Sequence, residues 1–328
     1  MLQIILHQLW NQRRQNAWIF LELLVVSFFL WTVIDPIYVL TANRAIDRGY
    51  NPEGLYVVNI GMYDETNINF DPDMDSDSMN LVIYSRLARI VHEQPEVKCW
   101  AISAFQSFPH SGTWSGTQIF TDTVSLHKKE GYVHAQFYSF VPTEGSNLLQ
   151  TFDMKDALTG GDICLPEQVK DKVFVSERLA RRLFGTADVV GKKIYQSDNA
   201  LEVAGVFRDF KHRDYEQPYP LIVTMSGEMR GSSHIAWMYP FVLRLKPGVD
   251  VSAFKQRFQQ EVVPQLSVGN FYFDSLKEFS ELSEAYAMQS GVTNKLRLQY
   301  ALTGFALLCI FLGMVGTFWI RSNAVAAR

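Results

Sequence analysis

One long run of the sequence, Tyr300 to Ile320, contains no charged side chain. At about 1.5 Å per residue, a helix of this length reaches about 31 Å, which is the thickness of the hydrocarbon core of a bilayer. Inside lipid, an open segment of chain can satisfy its backbone polar groups only as a helix. The run therefore predicts a transmembrane helix over residues 299–321, with residues 322–328 as the start of a cytoplasmic loop.

A second apolar stretch lies near the amino end, from Ala17 to Ile34, and predicts a first transmembrane helix over residues 17–40. It contains Glu22, whose carboxylate would cost about 2.5–3.5 kcal/mol at the centre of a bilayer. Glu22 lies near the start of the stretch, so we expect it to reach the interface or to face a partner helix. We expect Asp35-Pro36 to end or kink this helix, because proline removes a backbone donor.

The residues before this stretch have helical periodicity, with apolar side chains at Leu2, Ile5, Leu6, Leu9 and Trp10. This pattern predicts an interfacial amphipathic helix over residues 1–16 that lies flat on the inner leaflet. The alternative is a simple extension of the first transmembrane helix.

The short flanks of both apolar stretches are basic, with Arg13 and Arg14 before the first and Arg321 and Arg328 after the second. Basic residues close to a span favour the cytoplasmic side, whereas charges in a long loop count for little. We therefore expect both termini in the cytoplasm and the middle of the chain outside it.

The middle of the chain contains two strand–helix–strand patterns. The first has strands at 55–62 and 97–105 around an amphipathic helix, and the second has strands at 241–245 and 271–276 around a helix that Asp250 can cap. Two such units can pair into one four-stranded sheet. We predict an α+β domain outside the cytoplasm over residues 41–298. Its parts are a split ferredoxin-like subdomain at 50–107 and 239–276, an inserted β-rich subdomain at 108–238, and a helical stalk at 277–298.

Composition and cysteine content limit the function classes. There are 30 basic against 34 acidic residues and no basic stripe interleaved with aromatic side chains, so nucleic acid is not expected as a partner. Two of the three cysteines, Cys99 and Cys164, fall in the middle region. They could form a disulfide outside the cytoplasm, or remain two separate buried thiols, and no spacing pattern decides between these.

Three segments imitate known sites and fail on chemistry. The run Phe70-Asp-Pro-Asp-Met-Asp-Ser-Asp-Ser78 has Ser76 where a calcium loop requires glycine, and Val82 where it requires glutamate. Gly185 to Lys192 has the wrong length for a phosphate loop. Ser115 is misplaced for a nucleophile elbow. We predict no catalytic, cofactor-binding or metal-binding residues, and no enzymatic activity.

The most specific stretch is Val173 to Pro220. Ser176 can cap a short helix that Gly185 ends, and a strand follows at Leu201 to Phe207. This stretch resembles the periplasmic core domain of MacB/FtsX-type permeases of ABC transporters. The matching pieces within it are Ser176-Glu-Arg-Leu-Ala180, Leu183-Phe-Gly185, Val190-Gly-Lys192, Val203-Ala-Gly-Val206 and Arg208-Asp-Phe210.

The resemblance extends over the rest of the chain, at Gly49 to Val58, Pro95-Glu-Val97, Leu243 to Gly248 and Gly316 to Trp319. It implies a non-catalytic permease subunit in the bacterial inner membrane. The implied partners are an ABC ATPase that binds the ATP, a second permease copy, a periplasmic adaptor or outer-membrane protein, and membrane lipid. Such permeases have at least four spans, whereas this sequence stops at Arg328, so we expect either a fragment or a degenerate half.

In this interpretation, the permease transmits the ATP-driven closure of the ATPase to the periplasm through stiff stalks. Glu22 and the small residues Gly304, Gly313 and Gly316 would then mark helix–helix contacts, although the glycines are equally consistent with ordinary span composition. The alternative hypothesis is an extracytoplasmic ligand-sensing domain of a two-span membrane receptor. A membrane-anchored enzyme has no motif to support it.

Overall fold

The structure is a computed structural model, and it describes residues 13–113, 115–143, 145–197 and 199–326. The chain forms two compact units. One combines the two ends of the chain, up to Ala45 and from Ala287, and the other is the continuous stretch Ile46–Tyr286, which we name the head.

Nine α-helices and ten strands are present in the described residues. The helices are α1 Arg13–Ala45, α2 Asp77–His92, α3 Thr123–Lys128, α4 Leu148–Thr151, α5 Glu177–Phe184, α6 Ile235–Met238, α7 Val251–Arg257, α8 Phe279–Gln289 and α9 Val292–Ala326. The strands are β1 Leu55–Met62, β2 Val97–Ala104, β3 Gly116–Ile119, β4 Val133–Val141, β5 Lys172–Ser176, β6 Lys193–Gln196, β7 Asn199–Phe207, β8 Leu221–Met225, β9 Phe241–Leu245 and β10 Phe271–Glu278.

The first unit contains α1, α9 and the last residues of α8, and α1 and α9 pack against each other. Each contains a window that is long and apolar enough to cross a membrane, Leu24–Ala45 in α1 and Val292–Gly313 in α9. Most side chains in these windows are exposed, whereas the core helix of a globular protein is mostly buried. The two helices therefore fit a membrane protein.

Of the two outcomes expected at Asp35-Pro36, an end of the helix is wrong, and a kink stays a prediction. Pro36 lies inside α1, which continues to Ala45. A proline removes one backbone hydrogen bond, and the apolar residues that follow keep the helical pattern, so the helix continues. The predicted interfacial helix falls largely on residues 1–12, outside the described residues, and residues 13–16 form the first turn of α1.

The head is built on one ten-stranded sheet, with the order β10-β1-β9-β2-β4-β8-β5-β7-β6 and with β3 paired to β4. The first four strands in this order are antiparallel to their neighbours and come from the two predicted strand–helix–strand units. This is the predicted ferredoxin-like arrangement. The inserted segment is β-rich as predicted, and its strands continue the same sheet, because Ile102 of β2 pairs with Val141 of β4.

Successive side chains of a strand point to opposite faces of the sheet, so each face has its own hydrophobic core. On β1, Tyr56 and Val58 join a core that also contains side chains of α2 and α7, whereas Leu55 and Val57 join an aromatic-rich core on the opposite face. A third core packs α5 against the inserted strands. The predicted caps are confirmed: the Ser176 hydroxyl accepts a bond from the Leu179 N–H, and Gly185 ends α5 in the left-handed region.

The predicted stalk helix at 277–298 is different in the structure. Lys277 and Glu278 are the last residues of β10, and α8 begins at Phe279. Gly291, with a φ of +74°, lies between α8 and α9. Glycine adopts this left-handed conformation without a Cβ penalty and commonly ends helices in this way. The head is therefore connected to the second apolar helix by a broken helix.

The cysteines in the head are separate. Cys99 is buried and Cys164 is exposed, and both are free thiols. The alternative of separate thiols therefore describes this structure, although only one of the two is buried.

Candidate functional site

A polar cluster joins the first and the last segments of the head. We name it the hub and define it as Arg48, Tyr50, His110, Asp214 and Ser283. Arg48 and Tyr50 belong to the incoming segment (46–50), the first residues of the head, and Ser283 belongs to the outgoing helix, α8. His110 lies in the loop after β2, and Asp214 lies in the loop that connects β7 to β8. Four distant parts of the sequence thus meet at one place.

The carboxylate of Asp214 is the centre of the hub. Arg48 donates from Nε to Oδ1 at 2.7 Å and from Nη2 to Oδ2 at 3.1 Å, which is a two-pronged contact. The hydroxyl of Ser283 donates to Oδ2 at 3.0 Å. Asp214 therefore holds the incoming segment and the outgoing helix at the same time.

His110 extends the hub into the interior. Its Nε2 lies 3.0 Å from the hydroxyl of Tyr50 and 3.6 Å from Oδ1 of Asp214. Burial raises the pKa of Tyr50 far above its usual range, and the nearby Asp214 charge adds to this effect. The phenol of Tyr50 is thus neutral at physiological pH. It adds no negative charge beside the carboxylate of Asp214.

The pKa of Asp214 has opposing causes. Burial raises it, but the hydrogen bonds and charges of His110 and Arg48 together outweigh burial and hold the pKa well below its usual range. The hydrogen bond to Asp214 in turn raises the pKa of Arg48. The pair is therefore ionised at all physiological pH values.

The loop that carries Asp214 is fastened to the incoming segment along its backbone. The N–H of Lys211 donates to the carbonyl of Arg48 at 2.9 Å, and Nζ of Lys211 donates to the carbonyl of Ile46 at 2.6 Å. Lys211 is only 1% exposed, and burial lowers its pKa. At Gly49 a Cβ would lie 2.0 Å from the carbonyl oxygen of Asp209, so only glycine permits this close approach.

The same loop holds the outgoing helix at a second point. The guanidinium of Arg213 donates to the hydroxyl of Tyr286 at 2.5 Å, and its carbon lies 4.5 Å from the centre of the Tyr286 ring. Arg213 also donates to Glu216 at 2.9 Å. Such a stacked and hydrogen-bonded arginine resists rotation of the helix more than a single bond does.

An aromatic anchor lies under the hub. Phe279, the first residue of α8, is fully buried, and its ring centre lies 5.8 Å from that of Tyr50 and 5.4 Å from that of Phe152. The rings of Phe108 and His110 lie 6.5 Å and 5.6 Å from it. The contacts of Tyr50, Phe152 and His110 with Phe279 are edge-to-face and add to the burial energy, so the start of the outgoing helix is firmly held.

The hub does not have the geometry of a hydrolytic site. The hydroxyl of Ser283 donates to Asp214 and, within the described residues, makes no bond to a histidine, whereas the serine nucleophile of a catalytic triad has a histidine as its base. Within the described part of the chain there is also no group of three or more His, Cys, Asp or Glu residues that could hold a metal ion. The arrangement holds the incoming segment and the outgoing helix on one carboxylate.

The residues singled out from the sequence lie elsewhere. Glu22 is in α1, and Gly304, Gly313 and Gly316 are in α9. A Cβ added at Gly304 or Gly316 would meet no atom of the described residues within 4 Å, so neither glycine marks a close contact among them. Their contact with a partner helix stays a prediction.

Sequence reasoning missed the hub. The family-like motif Arg208-Asp-Phe210 adjoins it, but the next residues, Lys211 to Asp214, showed no strand or helix periodicity. The signal for the hub that the sequence did contain is this run of four consecutive ionisable residues next to buried strands. Their partners Arg48 and Ser283 are 166 and 69 residues away from Asp214 in sequence, and no local pattern reveals them.

Comparison with known proteins gives one family match. The model of a family described as "MacB-like periplasmic core domain" matches residues 39–261. None of the curated proteins compared with the sequence matches it.

Several solved structures are similar to this chain at low sequence identity. The periplasmic region of MacB from Actinobacillus actinomycetemcomitans is 10% identical with a TM-score of 0.41, and the match covers 73% of this chain and 94% of that one. A domain of a putative permease protein from Porphyromonas gingivalis is 15% identical with a TM-score of 0.40, covering 70% and 92%. The extracellular domain of the noncanonic ABC-type transporter YknZ from Gram-positive bacteria is 10% identical with a TM-score of 0.38, covering 67% and 100%.

Proposed function

The chain belongs to the family of the MacB-like periplasmic core domain, and from this premise we propose that it is a permease subunit that couples ATP hydrolysis by a partner ATPase to movement of its head. The head would lie in the periplasm, with both termini in the cytoplasm and α1 and α9 in the inner membrane. The partners would be an ABC ATPase that binds the ATP, a second permease copy and a periplasmic adaptor or outer-membrane protein.

The hub is the observation that supports this proposal most directly. A subunit that transmits movement needs both connections of its head to be tied firmly to the same structural element. Asp214 contacts Arg48 at the start of the head and Ser283 near its end, and Arg213 contacts Tyr286. A displacement of either connection would therefore reach the loop between β7 and β8, and with it two strands of the inserted part of the sheet.

Gly291 gives this transmission a defined point of bending. The backbone between α8 and α9 is not braced by a continuous helix, because the left-handed Gly291 interrupts it. Hinges are commonly a few residues at the ends of elements, where φ and ψ absorb the change. We propose that α9 and the head move as separate bodies about this break.

The test uses the full-length chain purified with its ATPase in lipid nanodiscs. The amide hydrogen exchange of residues 46–50 and 279–286 is measured with and without ATP and vanadate. We expect nucleotide trapping to change the exchange in both segments. The variant Asp214→Asn, which keeps the shape but removes the charge, is expected to reduce this change several-fold while the ATPase still binds.

A matched control is Asp162→Asn. Asp162 is an exposed head carboxylate that pairs with Lys155 and not with the hub. It should leave the nucleotide-dependent change intact. Absence of any ATPase that associates with the chain, or an unaltered response in Asp214→Asn, would contradict the proposal.

One observation favours the alternative of a ligand-sensing receptor. A cavity of about 430 Å³ is bounded by Phe120, Leu126, Lys129 and His134, together with polar groups of β3. Its size is within the range of small-molecule sites. A receptor would bind a small anionic ligand there, and Lys129→Ala with His134→Ala would abolish the binding. Equal thermal stabilisation of the wild-type chain and the double variant by every small anion in a screen would remove this alternative.

A further inference from the structure

Backbone strain in the head is concentrated in the loop after β2. Phe105, Gln106 and His110 have φ values of 56°, 53° and 59°, in the left-handed region that residues other than glycine rarely adopt. Such conformations persist only where the surroundings hold them, and they are common at switch regions. Three of them within six residues therefore require an explanation.

The first part of this loop is held at the surface. The N–H of Phe105 donates to the carbonyl of Met238 at 2.6 Å, and the side-chain amide of Gln106 donates to the carbonyl of Trp237 at 3.3 Å. Phe105 is 46% exposed and Trp237 is 54% exposed. Strained backbone thus presents Phe105 to solvent, and the same loop is bonded to the backbone of α6, which carries the exposed Trp237.

The second part of the loop is held at the hub. Residues 107–111 are all buried. The N–H of His110 donates to the carbonyl of His212 at 3.1 Å, and its ring contacts Tyr50 and Phe279. Phe108 packs against Phe279 as well. The loop thus runs from the exposed Phe105 to the anchor of the outgoing helix within six residues.

We propose that the loop Phe105–His110 is a conformational relay that couples the exposed pair Phe105 and Trp237 to the anchorage of the outgoing helix. The contacts at both ends hold the strained backbone. Loosening the hub lets Phe105 and Gln106 relax and alters the exposed aromatic surface. A change at that surface acts in reverse on His110 and Phe279, because coupling between two sites is reciprocal.

This relay deepens the role proposed for the hub, and it rests on the contacts of the hub and not on an ATPase. The test therefore uses the full-length chain alone in nanodiscs. The readout is amide exchange of residues 281–286 in α8, measured in variants of Gln106. If the relay is wrong, the response of the chain to nucleotide can still be observed. If the ATPase proposal is wrong, the effect of the Gln106 variants on residues 281–286 can still be observed.

Two substitutions at Gln106 act in opposite directions on its backbone. Both remove the side-chain amide that donates to the carbonyl of Trp237, so the comparison between them isolates the left-handed conformation. Gln106→Gly favours that conformation and Gln106→Ile opposes it, and we expect exchange of residues 281–286 to be about tenfold or more faster in Gln106→Ile than in Gln106→Gly. Lys129 is the matched control, because it is also left-handed, with a φ of 55°, but lies at the end of α3. Lys129→Gly and Lys129→Ile should leave residues 281–286 unaffected.

The reverse direction gives a second measurement. Phe279→Leu keeps an apolar side chain but loosens the anchor, and it is expected to accelerate exchange of the amides of Phe105 to Ser107. The relay is overturned if the Gln106 and Lys129 variants affect α8 equally. It is also overturned if Gln106→Ile leaves α8 unchanged, or if Phe279→Leu leaves the Phe105–Ser107 amides unchanged.

Discussion

His212 makes the stability of the head depend on pH in a defined window. It is 2% exposed, its Nδ1 bonds to the hydroxyl of Tyr138, and the adjacent Arg213 and nearby His110 are unfavourable neighbours for a second positive charge. Burial, followed by these two neighbours, lowers the pKa of His212 to about 3. In the unfolded chain, the pKa of a histidine is about 6.5.

The sign and the magnitude follow from this difference. Between pH 6.5 and pH 3 the unfolded chain binds a proton at His212 that the folded head does not bind. The contribution to stability is therefore complete above pH 6.5 and is lost progressively as pH falls towards 3. The slope is about 1.4 kcal/mol per pH unit, and the total is about 5 kcal/mol. Between pH 6.5 and pH 4.5 this gives about 2–3 kcal/mol.

The assay compares the wild-type chain with His212→Asn by amide exchange of the central strands in nanodiscs. Asparagine can accept the Tyr138 hydroxyl bond but does not titrate. We expect wild-type protection, relative to that of the variant, to fall close to tenfold for each pH unit below 6.5. His134→Asn, at an exposed position on β4, should retain the wild-type slope. Parallel pH profiles for the wild type and His212→Asn would refute the reasoning.

Three further predictions concern the anchors of the head, each measured as the free energy of unfolding of the full-length chain. Phe279→Ala should cost about 3–5 kcal/mol and Phe279→Leu distinctly less, because the cavity is smaller; equal losses would contradict the packing. Arg244 is buried and donates to the carbonyls of Thr151, Glu53 and Asn51 at 2.7, 2.8 and 2.6 Å. Arg244→Lys should still cost about 1–3 kcal/mol, since a lysine cannot reach all three acceptors, and a neutral result would show that they are not needed. Gly291→Ala should destabilise the chain by about 1 kcal/mol, because the residue at this position has a left-handed φ. Gly304→Ala, inside α9, should not destabilise it. Identical effects of the two substitutions would show that the left-handed conformation of Gly291 is not required.

Local patterns of the sequence were sufficient for much of the fold. The strands β1, β2, β9 and β10 follow from apolar runs, and the helix ends at Ser176 and Gly185 follow from side-chain and backbone chemistry that acts within four residues. Predictions from periodicity fail where a helix and a strand compete for the same residues. The apolar pattern at 277–298 favoured one helix, but pairing of Lys277 with Val57 extends β10, and Gly291 then interrupts the helix.

The joining of the inserted segment to the main sheet was beyond sequence reasoning. β2 and β4 pair over only three residue pairs, Ile102 to Ala104 with Ser139 to Val141. Edge pairing of this kind is set by which strand edges remain open after the other elements have packed. No motif in either strand specifies its neighbour.

By itself, the sequence determined that the chain has two apolar helices around an α+β head, because apolar length and periodicity are properties of neighbouring residues. Only the tertiary structure decided that Arg48, His110, Asp214 and Ser283 meet at one carboxylate. The physical reason is that an ion pair forms between side chains that folding brings together, and its partners are chosen by the path of the whole chain rather than by their spacing in sequence.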